Sequence, residues 1–128
     1  MSKFNVLLVD DEEELVNALA ERLQIRGLNP EIALNGEQAL QVVQDRVPDV
    51  MVLDLRMPGI DGLEVLRRIK KAHNQIEVVV LTGHGSEKDR EIALRLGAFD
   101  YLQKPVDITD LVQTLVRAYQ HKVDQTAM

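Results

Sequence analysis

Polar side chains able to do chemistry stand where the short apolar runs of this sequence end. The run VMVL at positions 50–53 is followed directly by a carboxylate, Asp54. Three other runs are followed by the acid pair Asp10 and Asp11, by Thr82 and by Lys104. A lone carboxylate at the end of a buried strand is costly unless other groups compensate its charge. These residues therefore point to a shared site.

The residue types at this site suit phosphoryl chemistry. Three carboxylates placed together repel one another unless a cation lies among them, and Mg²⁺ prefers oxygen ligands. Lys104 supplies a further positive charge, and Thr82 supplies a hydroxyl donor for a phosphoryl oxygen. A carboxylate beside a metal ion and an ammonium is a workable nucleophile. We therefore predict a phosphoryl acceptor at Asp54 that depends on Mg²⁺, with Mn²⁺ as an alternative ion.

Apolar runs alternate with segments of helical periodicity along the chain. The runs predict five strands, at 6–9, 32–34, 50–53, 78–81 and 99–102. Helical segments follow each of them, with ends marked by Gly27, Gly97 and a capping box of Ser86 and Asp89. Strands that are apolar throughout are typical of a parallel sheet covered on both faces. The pattern predicts an α/β fold, a doubly wound five-stranded parallel sheet with five helices. Ligands bind such sheets beyond the carboxyl ends of the strands.

Composition limits the function further. The 128 residues predict one domain over 1–128, with a frayed tail at about 124–128. The net charge of −6 with scattered basic residues argues against direct nucleic-acid binding. The absence of cysteine excludes disulfides, thiolate metal sites and a cysteine nucleophile. The first apolar run is too short for a secretory signal, and no segment approaches the roughly 20 apolar residues of a membrane span. A cytoplasmic location is expected.

Each residue taken alone has a simpler interpretation. The acids 12–14 suit the first turn of a helix, where they interact favourably with its dipole, and Asp10 or Asp11 taken alone suits a cap of that helix. Asp61 before a glycine is typical of a turn. His84 between two glycines suits a loop better than a metal site, and Tyr101 suits packing at the sheet edge. The joint placement, and no single residue, supports the predicted site.

Four segments together resemble the receiver domain of two-component response regulators over essentially the whole chain. They are VLLVDDE, VLDLRMPGIDG, VVVLTGHGS and YLQKP. The resemblance implies a flavodoxin-like strand order, 2-1-3-4-5. It also implies a signalling phosphoacceptor that assists its own phosphoryl transfer, and not an enzyme acting on a separate substrate.

The resemblance assigns roles to individual residues. Asp54 is the phosphoacceptor. Asp11, the Asp54 carboxylate and the main-chain carbonyl of Arg56 hold Mg²⁺, and Asp10 acts mostly through water. Lys104 pairs with the phosphoryl group, and the Lys104–Pro105 bond is expected to be cis.

The resemblance also implies a conformational switch. Thr82 moves to bind the phosphoryl group, and Tyr101 swings inward as it does so. Arg56 and His84, two residues after Asp54 and two after Thr82, occupy positions that tune the lifetime of the phosphoryl group. The output face consists of the fourth helix, fifth strand and fifth helix, about residues 87–122.

The same resemblance predicts the partners. A sensor histidine kinase or a phosphotransfer protein donates the phosphoryl group, and an output domain or a separate protein reads the switch, with transcriptional control as one output. A homodimer that forms on phosphorylation through the fourth-helix face is a further hypothesis. We expect neither nucleic-acid nor membrane binding by this chain.

Other functional classes fit the sequence less well. Haloacid-dehalogenase-like phosphatases need a second aspartate two residues after the nucleophile, where Arg56 stands, and arginine cannot act as the acid. A flavodoxin-like or dinucleotide-binding module would place phosphate after the first strand, where residues 10–14 repel it. Gly83 and Gly85 lack the third glycine of a dinucleotide-binding motif. A receiver fold that acts as an unphosphorylated docking module stays an alternative.

Overall fold

A parallel sheet of five strands, in the order β2-β1-β3-β4-β5, forms the centre of the molecule. The computed structural model describes residues 3–126. The strands are β1 Asn5–Val9, β2 Asn29–Ala33, β3 Val50–Leu53, β4 Glu77–Thr82 and β5 Asp100–Gln103. The helices are α1 Glu13–Ile25, α2 Gly36–Asp45, α3 Gly62–Ala72, α4 Glu87–Arg95 and α5 Ile108–Thr126. The predicted fold class, strand order and number of helices are confirmed.

The core consists of two apolar layers, one on each face of the sheet. Successive strand residues point to opposite faces, so each strand supplies both layers. One layer packs against α2, α3 and α4 and includes Leu7, Val9, Met51, Leu53, Val78 and Val80. The other packs against α1 and α5 and includes Val6, Leu8, Val50, Val52, Val79 and Leu81. This double burial explains why the central strands carry no alternation of apolar and polar residues.

Strand boundaries differ from the predicted ones most at β2, an edge strand of the sheet. Strand β2 begins at Asn29, three residues before the predicted start, and includes Pro30, which pairs with Val6. Proline is tolerated because β2 is an edge strand, where a ladder hydrogen bond is not needed on the outer side. Strand β4 is longer by one residue at each end and includes Thr82.

Side-chain caps begin several of the helices. Ser86 and Asp89 form the predicted capping box at the start of α4. Asn35 caps α2, and Asp61 caps α3 by accepting a hydrogen bond from the main-chain N–H of Glu64. Asp61 was predicted to be a turn residue, and the structure shows that it is the N-cap of α3.

One buried carboxylate lies at the amino end of the sheet, far from the predicted site. Glu77 at the start of β4 pairs with His121 of α5, and Lys70 of α3 lies 3.9 Å away. Nearby, Lys122 of α5 donates to Asp49 at 2.5 Å. The pairs made by His121 and Lys122 attach the carboxyl half of α5 to β4 and to the residue that precedes β3.

Helix α5 continues past the point where we predicted a frayed tail. Gln120 donates to Asp124, and the Thr126 hydroxyl donates to the main-chain carbonyl of Lys122, so residues 124–126 are helical. Residues 127 and 128 of that predicted tail lie outside the described residues. Between residues 3 and 126, no helix combines the length and the apolar character needed to cross a bilayer.

Candidate functional site at the carboxyl edge of the sheet

The main-chain hydrogen bonds of the sheet continue for one residue past the ends of β1, β3 and β5, and they align the polar side chains there. The N–H of Asp10 donates to Ala33, and that of Asp54 donates to Val9. The N–H of Lys104 donates to the carbonyl of Thr82. Because the strands are parallel, their polar end residues meet at one edge, as the sequence predicted.

Asp54 is buried at the centre of this edge. Only 2% of its surface is exposed, and its Oδ1 atom has no hydrogen-bond partner among the described residues. Its Oδ2 atom lies 3.8 Å from the Nζ atom of Lys104, which is an ion-pair distance but too long for a hydrogen bond. Asp54 is therefore a buried carboxylate with an unused acceptor atom.

Lys104 makes its hydrogen bonds to two other carboxylates. Its ammonium donates to Asp10 Oδ2 and to Glu12 Oε1, both at 2.7 Å. Burial alone would lower the pKa of Lys104, but the hydrogen bonds to these two carboxylates outweigh it, so the pKa is raised. Burial raises the pKa of Asp10, although the Lys104 ammonium opposes this effect. The hydrogen bond from Lys104 lowers the pKa of Glu12.

Three carboxylates at this edge are close enough to hold a cation. Asp10, Glu12 and Asp54 each present an oxygen, and these oxygens lie within 4.8 Å of one another. One ammonium faces three negative charges, and Asp54 Oδ1 is buried without a partner, so a hard cation such as Mg²⁺ fits the donor set.

The structure brings together some predicted metal-site residues and leaves others apart. Asp10 and Asp54 belong to the carboxylate group, whereas Asp11 is exposed and lies outside it. Arg56 is also exposed, on the loop after β3. The roles of Asp11 and of the Arg56 carbonyl stay predictions.

Sequence reasoning missed the contact between Glu12 and Lys104. We had assigned Glu12 to the first turn of α1, but the helix begins at Glu13, and the Glu12 side chain makes no cap hydrogen bond. The main-chain N–H of Glu12 donates to Asp10 Oδ1 at 2.9 Å instead. The signal in the sequence was the place of Glu12 two residues after a strand-end aspartate, which keeps it at the carboxyl edge.

Thr82 and Tyr101 lie beside the same glycine. Thr82 is fully buried, and its hydroxyl accepts a hydrogen bond from the main-chain N–H of His84 at 3.3 Å. The Tyr101 hydroxyl is buried and has no hydrogen-bond partner among residues 3–126, and burial raises its pKa. A methyl group on Gly85 would lie 1.4 Å from this hydroxyl and 3.0 Å from the Thr82 methyl. Glycine at position 85 thus leaves the space that the end of the tyrosine occupies.

The loops around the site have further constraints. A methyl group on Gly62 would lie 2.4 Å from the main-chain oxygen of Asp54, so only glycine fits there without movement of the backbone. The Lys104–Pro105 peptide bond is cis. His84 is an exposed loop residue, consistent with its simpler interpretation.

The fold and the site define a signalling domain of known type. The family model described as "Response regulator receiver domain" matches residues 6–116, and the chain belongs to this family. Its sheet order is that of flavodoxin-like receivers.

Three relatives illustrate the similarity. An NtrX-like response regulator of Rickettsia conorii is 40% identical over 120 residues, which is 92% of this chain and 25% of that protein. The transcriptional regulatory protein CpxR of Escherichia coli is 44% identical over 107 residues, which is 84% of this chain and 45% of CpxR. The crystal structure of the NtrX receiver domain from Brucella abortus superposes with a TM-score of 0.85 at 34% identity, covering 90% of this chain and 98% of that one. The chain thus spans a quarter to just under half of the length of these two full-length relatives.

Proposed function

We propose that this receiver domain is phosphorylated on Asp54, from a phosphohistidine on a sensor kinase or phosphotransfer protein, with Mg²⁺ bound. The observation that carries the proposal is the buried Asp54 carboxylate, which keeps one oxygen unpartnered beside two further carboxylates and an ammonium. A purely structural carboxylate would be expected to have its acceptors satisfied.

Asp54 and Lys104 have different roles in the transfer of the phosphoryl group. An Asp54 oxygen forms the new bond to phosphorus while the bond from phosphorus to the donor's imidazole nitrogen breaks, and the electron pair of that bond stays on the imidazole. Lys104 stabilises the negative charge of the phosphoryl oxygens. Transfer of this kind depends on positioning and charge neutralisation more than on other covalent chemistry from the protein.

The metal would be held by carboxylates of this edge. Asp10 and Asp54 fit this role by position, and the family resemblance adds Asp11 and the Arg56 carbonyl. When bound, Mg²⁺ neutralises the charge that the carboxylates and the phosphoryl group bring together.

We infer that phosphorylation changes the packing around Thr82 and Tyr101. A phosphoryl oxygen that attracts the Thr82 hydroxyl would draw it from its contact with the His84 N–H, and Tyr101 shares the space beside it. The phosphoryl group shifts the equilibrium between two conformations of the domain only by the difference in how favourably it interacts with each of them. The face formed by α4, β5 and α5 would carry the change to an output domain or partner. Arg56 and His84 are exposed residues on the loops that follow β3 and β4, and the family resemblance assigns them to tuning the phosphoryl lifetime.

The wider assignments follow from this proposal. The domain acts as a signalling phosphoacceptor in the cytoplasm and has no separate substrate. Since its relatives include a regulator named as transcriptional, control of transcription through an attached or separate output domain is the favoured output. Phosphorylation-dependent dimerisation through α4 is tested by size-exclusion chromatography with and without beryllofluoride.

The deciding experiment is intact-mass analysis after incubation with acetyl phosphate. We expect a phosphoryl adduct with Mg²⁺, none with EDTA, and none in the Asp54→Ala variant. Asp61→Ala, which removes a cap on the same loop and leaves the carboxylate group intact, is the control and should still form the adduct. If the wild-type protein forms no adduct and does not bind beryllofluoride, the proposal is wrong and the domain acts as an unphosphorylated docking module.

A further inference from the structure

The ammonium of Lys104 is bound to carboxylates other than the phosphoacceptor. It lies 2.7 Å from Glu12 and from Asp10 but 3.8 Å from Asp54. We propose that Glu12 is a positioning residue that holds Lys104 in the unphosphorylated protein, so that the phosphoryl group competes with the Glu12 carboxylate for this ammonium. This inference rests on the proposed phosphorylation of Asp54.

Glu12 is the partner of Lys104 that can leave. Its side chain is 56% exposed, so its carboxylate can rotate away from Lys104 into water at little cost in free energy. The Asp10 side chain is only 7% exposed and also accepts the main-chain N–H of Glu12, so it is held in place. Lys104 itself is 14% exposed and has little freedom to find other partners.

The Glu12 side chain makes no other hydrogen bond or ion pair in the described part of the chain. Its side chain does not cap α1, and its one ion pair between residues 3 and 126 is with Lys104. Two anions cannot share a single ammonium without repelling each other, so a phosphoryl group on Asp54 and the Glu12 carboxylate compete for it. Glu12 would therefore weaken phosphoryl binding and delay the engagement of Lys104.

The size of the effect follows from the exposure of Glu12. An ion pair with one exposed partner typically changes an equilibrium by less than about fivefold. Replacing Glu12 by glutamine removes the competing charge and keeps the length of the side chain. We expect Glu12→Gln to bind beryllofluoride about two- to fivefold more tightly, and to be phosphorylated faster by a similar factor.

The experiment compares Glu12→Gln with Glu13→Gln, an exposed neighbour in the same acidic segment that has no ion pair among the described residues. Mg²⁺ affinity is measured first by calorimetry. Beryllofluoride affinity and the rate of phosphorylation by acetyl phosphate are then measured with Mg²⁺ saturating for each protein. Glu12→Ala serves as a second variant and should change both quantities in the same direction.

The outcomes separate this inference from the proposed function. Tighter beryllofluoride binding by Glu12→Gln at saturating Mg²⁺, with a Glu13→Gln variant that behaves like wild type, supports it whether or not the Mg²⁺ affinity itself changes. Weaker Mg²⁺ binding by Glu12→Gln, without tighter beryllofluoride binding, would show that Glu12 is a metal ligand and would overturn the inference. An equal gain in Glu13→Gln would overturn it too, since the cause would then be net charge. A wild-type protein that forms no adduct would refute the proposed function instead.

Discussion

Replacing the buried carboxylate of Asp54 by an amide should stabilise the protein when no metal is bound. In Asp54→Asn the shape of the side chain is kept and one negative charge is removed from a group of three carboxylates that faces one ammonium. A buried charge without full compensation opposes folding. The negative charge of Asp54 is therefore expected to lower the stability of the folded protein when no metal is bound.

The size of the effect follows from the distances. At an effective dielectric constant of about 20, the attraction between Asp54 and Lys104 at 3.8 Å is about 4 kcal/mol, and a like charge within 4.8 Å costs about 3.5 kcal/mol or more. Repulsion by Asp10 nearly cancels the attraction, and repulsion by the half-exposed Glu12, which solvent screens strongly, adds a smaller amount. Since the new amide is also buried, we expect Asp54→Asn to raise the free energy of unfolding by about 1–2 kcal/mol.

Thermal unfolding followed by circular dichroism in EDTA measures this change. For a domain of this length, the expected gain corresponds to a rise in Tm of about 3–10 °C. Saturating Mg²⁺ should raise the Tm of the wild-type protein more than that of Asp54→Asn, because the amide is a poorer ligand. Asp45→Asn, at an exposed position, is the control and should change stability by less than about 0.5 kcal/mol. If Asp54→Asn melts at or below the wild-type temperature in EDTA, the carboxylates are compensated in some other way and the reasoning is refuted.

Three further predictions concern the loops and one helix. Gly62→Ala should lower the free energy of unfolding by about 1–3 kcal/mol in urea titrations, because its methyl group would lie 2.4 Å from the main-chain oxygen of Asp54. The control is Gly83→Ala, which should be close to neutral because the nearest atom to its methyl group would be 3.7 Å away. Gly85→Ala should expel the Tyr101 hydroxyl, so that its pKa, which burial raises, returns toward the ordinary value in an NMR titration; an unchanged pKa would contradict this. The pKa of Glu64 should be about 2 in an NMR titration, because hydrogen bonds from Arg67 and Arg68 lower it. The contribution of these pairs to stability should be present above pH 4.5 and lost as the pH falls toward 2. A midpoint near 4.5 would show that the pairs do not persist in solution.

The sequence alone was sufficient to predict the fold. Apolar runs that show no alternation require burial on both faces, and helical periodicity between them requires helices as the cover. Parallel strands end at a common edge, so the approach of Asp10, Asp54, Thr82 and Lys104 followed from chain order and from the resemblance before any distance was known. The capping box at Ser86 was also predictable because it is a local hydrogen-bond pattern.

Contacts between side chains from different elements could be decided only by the tertiary structure. Whether Lys104 binds Asp54 or Glu12 depends on differences of about one ångström between three loops, and residue types do not encode such differences. The space that Gly85 leaves for Tyr101, and the approach of Gly62 to the Asp54 backbone, likewise join positions distant in sequence. The early start of β2 at Asn29 depends on its place at the sheet edge. Periodicity and composition specify what each element must bury, whereas the partner of each polar atom is set by how the finished elements pack.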